Sequence, residues 1–216
     1  MKFSTEKGPI DVTIRRVIVA GWTGRDAAAV QHHIEELAAI GVPAPSQTPL
    51  HYHVSASLLT FSDRIDVLGT ETSGEAEPLI IKWRDRHYIG LASDHTDRGL
   101  ESVSVAHSKQ ICAKPVAENL WLLNSVRDTD QLVLSSWIKE GGEWITYQTG
   151  TLAAIRPLAE LIADADLQDG DALLCGTLPA IAGVRPAASF RMSLTDEATG
   201  KTIKHEYQTH ALTVSA

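Results

Sequence analysis

The sequence predicts an α+β fold, a mostly antiparallel or mixed β-sheet with a few flanking helices. Three observations lead there. Short runs rich in β-branched and apolar residues recur along the chain, broken by Gly, Ser and Asp. Only three stretches carry helical patterning, and they do not alternate with strands as in a βαβ protein. The composition is that of a globular chain, 44% hydrophobic and 21% charged over 216 residues, which excludes disorder and supports a sizeable core.

Taken in order, residues 11–20 (DVTIRRVIVA) read as a strand. Gly21-Trp22-Thr23-Gly24 is a turn into the clearest helix, with Thr23 as cap and Asp26 in the first turn. Val30, Ile34 and Leu37 form its apolar face, and Gly41 and Pro43 stop it. From Leu50 to Tyr88 the texture is β, with runs at 58–61, 64–68, 78–83 and 87–92. Residues 96–110 read as a helix opened by Ser93-Asp94, and 120–123, 131–138 and 143–147 as strands. A helix over 152–163 must kink or restart at Pro157. A strand at 171–176 precedes a hairpin of 189–195 and 202–210. No repeat or long linker divides the chain. The expectation is a single domain over 1–216, with an N-terminal strand and lid-like helix in 1–48 and a metal-binding β core in 49–216.

Charge and cysteine usage narrow the function. Nineteen Lys and Arg against twenty-seven Asp and Glu give a net charge of −8, so no nucleic acid partner is expected. No basic cluster suits an anionic membrane, and the apolar runs are too short to span a bilayer. The N-terminus is polar, and Cys112 and Cys175 match no zinc or redox spacing. A soluble, reduced, cytoplasmic protein is expected. The chain lacks a Gly-x-Ser-x-Gly elbow, a P-loop and a Gly-x-Gly-x-x-Gly turn.

The chemistry concentrates in two acidic segments. In Ser73-Gly74-Glu75-Ala76-Glu77-Pro78, an extended chain puts Glu75 and Glu77 on one face, about 7 Å apart. Such a pair repels unless a cation or proton lies between, and hard oxygen donors suit Mg²⁺, Mn²⁺ or Ca²⁺. Read alone, the segment is better explained as an exposed edge strand with two solvated glutamates, which are common and which Pro78 favours. Asp94, at the end of an apolar run, offers a third carboxylate, and Arg98 a bidentate partner for a substrate carboxylate. The alternative has Asp94 or Thr96 capping a helix and Arg98 in a local ion pair.

These pieces, in this order, resemble the fumarylacetoacetate hydrolase superfamily over residues 19–183. Glu75 and Glu77 match its Glu-x-Glu strand. The run from Ser93 to Glu101 matches Asn-Asp-x-x-x-Arg-x-x-Gln, with Ser93 for Asn and Glu101 for Gln. Lys109, or Lys114 under a shifted gap, matches a lysine ahead of Gly-Pro-Trp. Gln148-Thr149-Gly150-Thr151 resembles Gln-x-Gly-x-Thr. The stretch from Gln168 to Thr177 resembles Pro-Gly-Asp-x-Ile-x-Thr-Gly-Thr. His53 stands where many relatives carry a lysine, and the branch that the chain resembles has no assigned activity.

The resemblance implies a β-sheet roll or sandwich of that type, commonly a homodimer, with Trp137 and Trp144 either at an interface or in the core. It implies a divalent metal on Glu75, Glu77 and Asp94, Lys109 supporting an oxyanion, and Arg98, Gln148 and Thr177 lining a pocket. The expected function is a metal-dependent hydrolase or lyase cleaving a C–C bond in a small oxo-acid or dicarbonyl compound. The alternatives are a decarboxylase, tautomerase or hydratase on the same site, or a non-catalytic small-anion-binding protein. His32-His33-Ile34-Glu35-Glu36 contains two His-x-x-Glu pairs at helical spacing. His33 and Glu36, beside the apolar face, resemble the family's catalytic dyad; incidental pairing on a surface helix is the other reading. His51 and His53 bind a ligand or merely alternate around Tyr52, and His95 lies behind the metal or in a solvent loop.

Overall fold

The computed structural model describes residues 1–39 and 44–215; within the first helix the side chains of His33, Glu36, Leu37 and Ala39 lie outside the description. Two sheets carry the core. The first is six-stranded, in the order Trp121–Leu122, Arg86–Ser93, Ala76–Trp83, Asp171–Leu174, Arg16–Gly21, Leu50–Val54. Its only parallel pair joins Asp171–Leu174 to Arg16–Gly21. The second is five-stranded, in the order Glu143–Thr151, Val133–Glu140, Ser189–Asp196, Lys201–Leu212, Arg64–Leu68. It is antiparallel except where Lys201–Leu212 meets Arg64–Leu68.

The continuous apolar runs of the first sheet are explained by burial on both faces. Successive side chains alternate between two clusters. Ile18, Ile80, Ile89 and Leu173 point toward the second sheet and pack with Leu134, Phe190, Met192, Ile203 and Tyr207. Val17, Val19, Leu79, Ile81, Ala172 and Leu174 point the other way, onto Phe3, Val12, Val54 and Leu120. Phe3 arrives on an N-terminal hairpin, Lys2–Thr5 with Gly8–Asp11, that the sequence reading missed. The first sheet strand accordingly starts at Arg16, not at residue 11.

Several expectations need correction. The strand after Glu75 is central, not an edge. Pro78 is tolerated there because the ladder to Asp171–Leu174 uses Leu79 to Ile81, while Pro78 contributes only its carbonyl, to Cys175 N–H at 3.0 Å. The first helix, Ala27–Ala39, is capped by Asp26, whose carboxylate accepts from the amides of Ala28 and Ala29; Thr23 is buried and is not the cap. Its expected stop at Gly41 and Pro43 lies outside the described residues. The helix expected over 96–110 is two short ones, Arg98–Glu101 capped by Asp97 and Val105–Gln110 capped by Ser104. Neither Asp94 nor Thr96 caps a helix. Pro157 divides the 152–163 segment into a 3₁₀ turn, Leu152–Ala154, and a helix, Leu158–Asp164. Trp137 and Trp144 are half-buried and outside both core clusters. Among the described residues no helix is long and apolar enough to cross a membrane.

Candidate metal centre

The antiparallel pair Ala76–Trp83 and Arg86–Ser93 builds the site at one end of the first sheet. Ala76 stands opposite Ser93, and Asp94 N–H donates to Glu75 C=O at 2.9 Å, so Asp94 emerges beside the Glu75-Ala76-Glu77 turn of chain. One carboxylate oxygen from each of Glu75, Glu77 and Asp94 lies within 4.8 Å of the others. Asp94 is fully buried, Glu77 is 2% exposed and Glu75 is half-buried at the mouth. Glu77 Oε2 also accepts the Gly176 N–H at 2.7 Å.

Both candidate lysines converge on Asp94. Lys109 Nζ donates to Asp94 Oδ2, while Lys114 Nζ lies 2.9 Å from Oδ1 and donates to the His95 carbonyl. The two ammonium groups thus meet both oxygens of the Asp94 carboxylate. Burial alone would raise the Asp94 pKa, but the two ammonium groups overcome it and hold the carboxyl well below the ordinary range. Lys109 mirrors this: burial would lower it, yet Asp94, Glu75 and Glu101 push it above the usual lysine value. Lys114, more enclosed, is lowered by burial. Glu77 is raised well above the ordinary value, first by burial and then by the Asp94 charge.

Arg98, expected to bind a substrate carboxylate, is engaged by the protein. It donates to Ser73 Oγ and to Glu101 Oε2, each at 2.7 Å, and its Nη2 stands 3.4 Å from Glu75 Oε2. The expected local ion pair is therefore present, with Glu101. Gln148 and Thr177 are likewise committed. Buried Gln148 accepts from Ala76 N–H and Ser136 Oγ and donates to Thr177 Oγ1 and the Leu178 carbonyl; Thr177 Oγ1 donates to the Ala76 carbonyl. Together they clasp the backbone between the two glutamates.

The remaining histidines separate cleanly. Tyr52, not His53, faces the site, with Lys109 Nζ 5.7 Å from its ring centre; His53 is exposed. His51 is half-buried and its pKa is lowered, chiefly by burial. His95 is fully buried and hydrogen-bonded at both nitrogens, so it is no solvent-loop residue. Burial, with Lys114 and Arg98 nearby, pushes its pKa down to about 3. His33 and Glu36 belong to the Ala27–Ala39 helix, but the placement of their side chains lies outside the described residues.

The donor set fits a hard dication. Three carboxylate oxygens converge within 4.8 Å, two of them from buried residues, and the burial and Asp94 charge that raise Glu77 are what a divalent charge would offset. The family resemblance pointed to the three carboxylates and to Lys109 or Lys114 as alternatives; the structure brings both lysines to Asp94. Sequence reasoning did not name Glu101, three residues on in the same short helix, as the partner of Arg98, and it missed the clasp of Gln148 and the hydroxyls around His95, which depend on contacts distant in sequence.

Comparison with solved structures places this architecture. The chain resembles 2-keto-3-deoxy-D-arabinonate dehydratase complexed with magnesium and 2,5-dioxopentanoate, with a TM-score of 0.64 at 14% identity, covering 95% of this chain and 76% of that one. It resembles maleylpyruvate hydrolase from Sphingobium sp. SYK-6, with a TM-score of 0.61 at 16% identity over 93% and 72% of the two chains. The third is 5-carboxymethyl-2-hydroxymuconate delta-isomerase from Mycobacterium smegmatis, with a TM-score of 0.60 at 15% identity over 94% and 78%. At these identities the likeness is one of fold, the mostly β arrangement of the fumarylacetoacetate hydrolase type. No curated protein matches the sequence. A family model does match, across residues 20–207, and the chain therefore belongs to DUF2848, a family of proteins of unknown function.

Proposed function

We propose that the chain is a divalent-metal-dependent hydrolase or lyase of the fumarylacetoacetate hydrolase superfamily, cleaving a C–C bond in a small oxo-acid or dicarbonyl compound. The observation that carries this reading is the convergence of Glu75, Glu77 and Asp94 within 4.8 Å, with two lysines on Asp94. Glu75, Glu77 and Asp94 would hold Mg²⁺, Mn²⁺ or Ca²⁺, which would supply Lewis-acid polarisation of a substrate carbonyl.

The protein's own groups do the rest. Lys109, buried against Asp94, keeps its proton and gives a fixed N–H donor suited to an oxyanion. Arg98 orients Glu75, and Gln148 with Thr177 fixes the backbone that presents both glutamates. With the proton that the raised pKa of Glu77 favours given up to a bound dication, the cluster's own groups are four carboxylates (Glu75, Glu77, Asp94, Glu101) against three cations (Arg98, Lys109, Lys114), a net charge of −4 + 3 = −1. A dication makes it +1, which draws an anionic substrate. In this proposal His33, with Glu36 of the Ala27–Ala39 helix, moves a proton or activates water, the role that the family resemblance implies.

A second reading keeps the metal and drops the dyad, giving a decarboxylase, tautomerase or hydratase. It is favoured by the dehydratase and isomerase among the similar structures. The experiment is thermal unfolding with and without Mg²⁺, paired with metal analysis of protein purified without chelator. Saturation at a hundred times Kd should stabilise the fold by about 2.7 kcal/mol, and Glu75→Gln with Glu77→Gln should abolish the response. A wild-type melting temperature indifferent to Mg²⁺, Mn²⁺ and Ca²⁺ sinks both readings and leaves a small-anion-binding protein. A homodimer through the half-buried Trp137 and Trp144 belongs to the same proposal; a monomer in sedimentation removes it.

A further inference from the structure

Ser93 and His95 flank Asp94, and both turn inward to one group. Tyr207 Oη lies 2.8 Å from Ser93 Oγ and 2.9 Å from His95 Nδ1, while His95 Nε2 lies 2.9 Å from Thr72 Oγ1. All four residues are at most 2% exposed. Tyr207 belongs to Lys201–Leu212 in the second sheet, so its hydroxyl crosses between the sheets to the residues on either side of a metal-site carboxylate. The same hydroxyl presses on Gly74, where an added Cβ would come within 2.3 Å of Oη and 2.7 Å of Ser93 Oγ. Gly74 immediately precedes Glu75. One phenol thus abuts both chain segments that deliver the carboxylates.

We propose that Tyr207 is a positioning residue for the metal centre, its hydroxyl clamping Ser93 and His95 so that Asp94 and Glu75 keep the spacing a dication needs. The proposal rests on the metal reading of Glu75, Glu77 and Asp94. Buried polar atoms are kept only where hydrogen bonds satisfy them, and a neutral imidazole donates at one nitrogen and accepts at the other, which this hydroxyl chain provides in either tautomer. Phenylalanine would fill the same apolar volume, so packing alone does not call for the hydroxyl. Tyr147 supplies the internal contrast. It is equally buried and packs on the same Phe190, but its hydroxyl accepts from Arg185 N–H at 3.2 Å and makes no bond to the residues flanking Asp94.

The test compares full-length Tyr207→Phe and Tyr147→Phe with wild type by amide hydrogen exchange over residues 72–77 and 92–97 and by Mg²⁺ titration calorimetry. Tyr207→Phe should exchange faster in both segments and bind Mg²⁺ about tenfold more weakly, the usual loss when a group behind a metal ligand is removed. Tyr147→Phe should alter neither, whatever it does to the melting temperature. Ser93→Ala, which removes one arm of the clamp, takes the place of Tyr207→Phe if that variant fails to fold. Unchanged exchange in the Tyr207 variant overturns the clamp. Wild-type protein that binds no Mg²⁺ overturns the metal reading instead, and the exchange result still decides the clamp.

Discussion

Glu77 and Gly176 are ninety-nine positions apart in sequence and 2.7 Å apart in space, the Gly176 amide donating to the glutamate's Oε2. Gly176 reaches that position with φ at +93°, and a Cβ there would fall 1.7 Å from Thr23 Oγ1. Thr23 is itself buried and its carbonyl accepts from Arg156 N–H, so it cannot retreat freely. The glycine is required twice, for its backbone conformation and for its missing side chain.

Gly176→Ala should therefore destabilise the fold by about 3 kcal/mol or more and weaken Mg²⁺ binding by displacing the donor that aims Glu77. Urea midpoints and calorimetric titration read the two effects; an alanine variant as stable as wild type would show that the turn can relax.

The raised pKa of Glu77 gives the metal-free protein a signed pH dependence. The folded state holds a proton on this carboxyl that the unfolded chain releases near its ordinary value of 4.5. The contribution to stability is fully present below that value and is lost as pH rises toward the folded pKa. In chelator, Glu77→Gln should flatten this fall above pH 4.5 and match or exceed wild-type stability at pH 7, while losing its response to Mg²⁺. A steeper pH dependence in the variant would contradict the assignment.

Asp94→Asn should behave in the opposite way. It removes the one anion held by two buried lysines, and an uncompensated buried charge costs about 3–5 kcal/mol. Chemical denaturation should show that loss, and Lys114→Met combined with Asp94→Asn should recover part of it. Equal stability of Asp94→Asn and wild type would mean that the lysines find other partners.

His33→Ala separates the two enzymatic readings. If the dyad moves the proton, turnover of a metal-dependent substrate should fall about 10²–10⁴-fold with the Mg²⁺ affinity unchanged. Unaltered turnover favours the decarboxylase, tautomerase or hydratase.

The sequence by itself determined most of the core strands, because β-branched runs and turn residues act over a few neighbours: Arg64–Leu68 appears where the pattern puts it and Asp171–Leu174 ends two residues short of it, while the N-terminal hairpin escaped the pattern. It also singled out Glu75, Glu77 and Asp94, because their order among the other motifs resembles that of a known family, while the carboxylates alone are a weak signal. Only the tertiary structure decided what surrounds them. Asp94 looked equally fit to cap a helix until Lys109 and Lys114 came within reach, and Pro78 argued for an edge until the ladder was seen to end beside it. Arg98 was open to a substrate on paper and is met by Glu101, Ser73 and Glu75 in the fold. Tyr207 carries no local mark at all, and the motif that marks Gln148 does not reveal that it clasps the Ala76 backbone. The reason is one of range: propensity and periodicity are local, whereas a buried charge or hydroxyl is defined by partners that only the packing of the two sheets brings near.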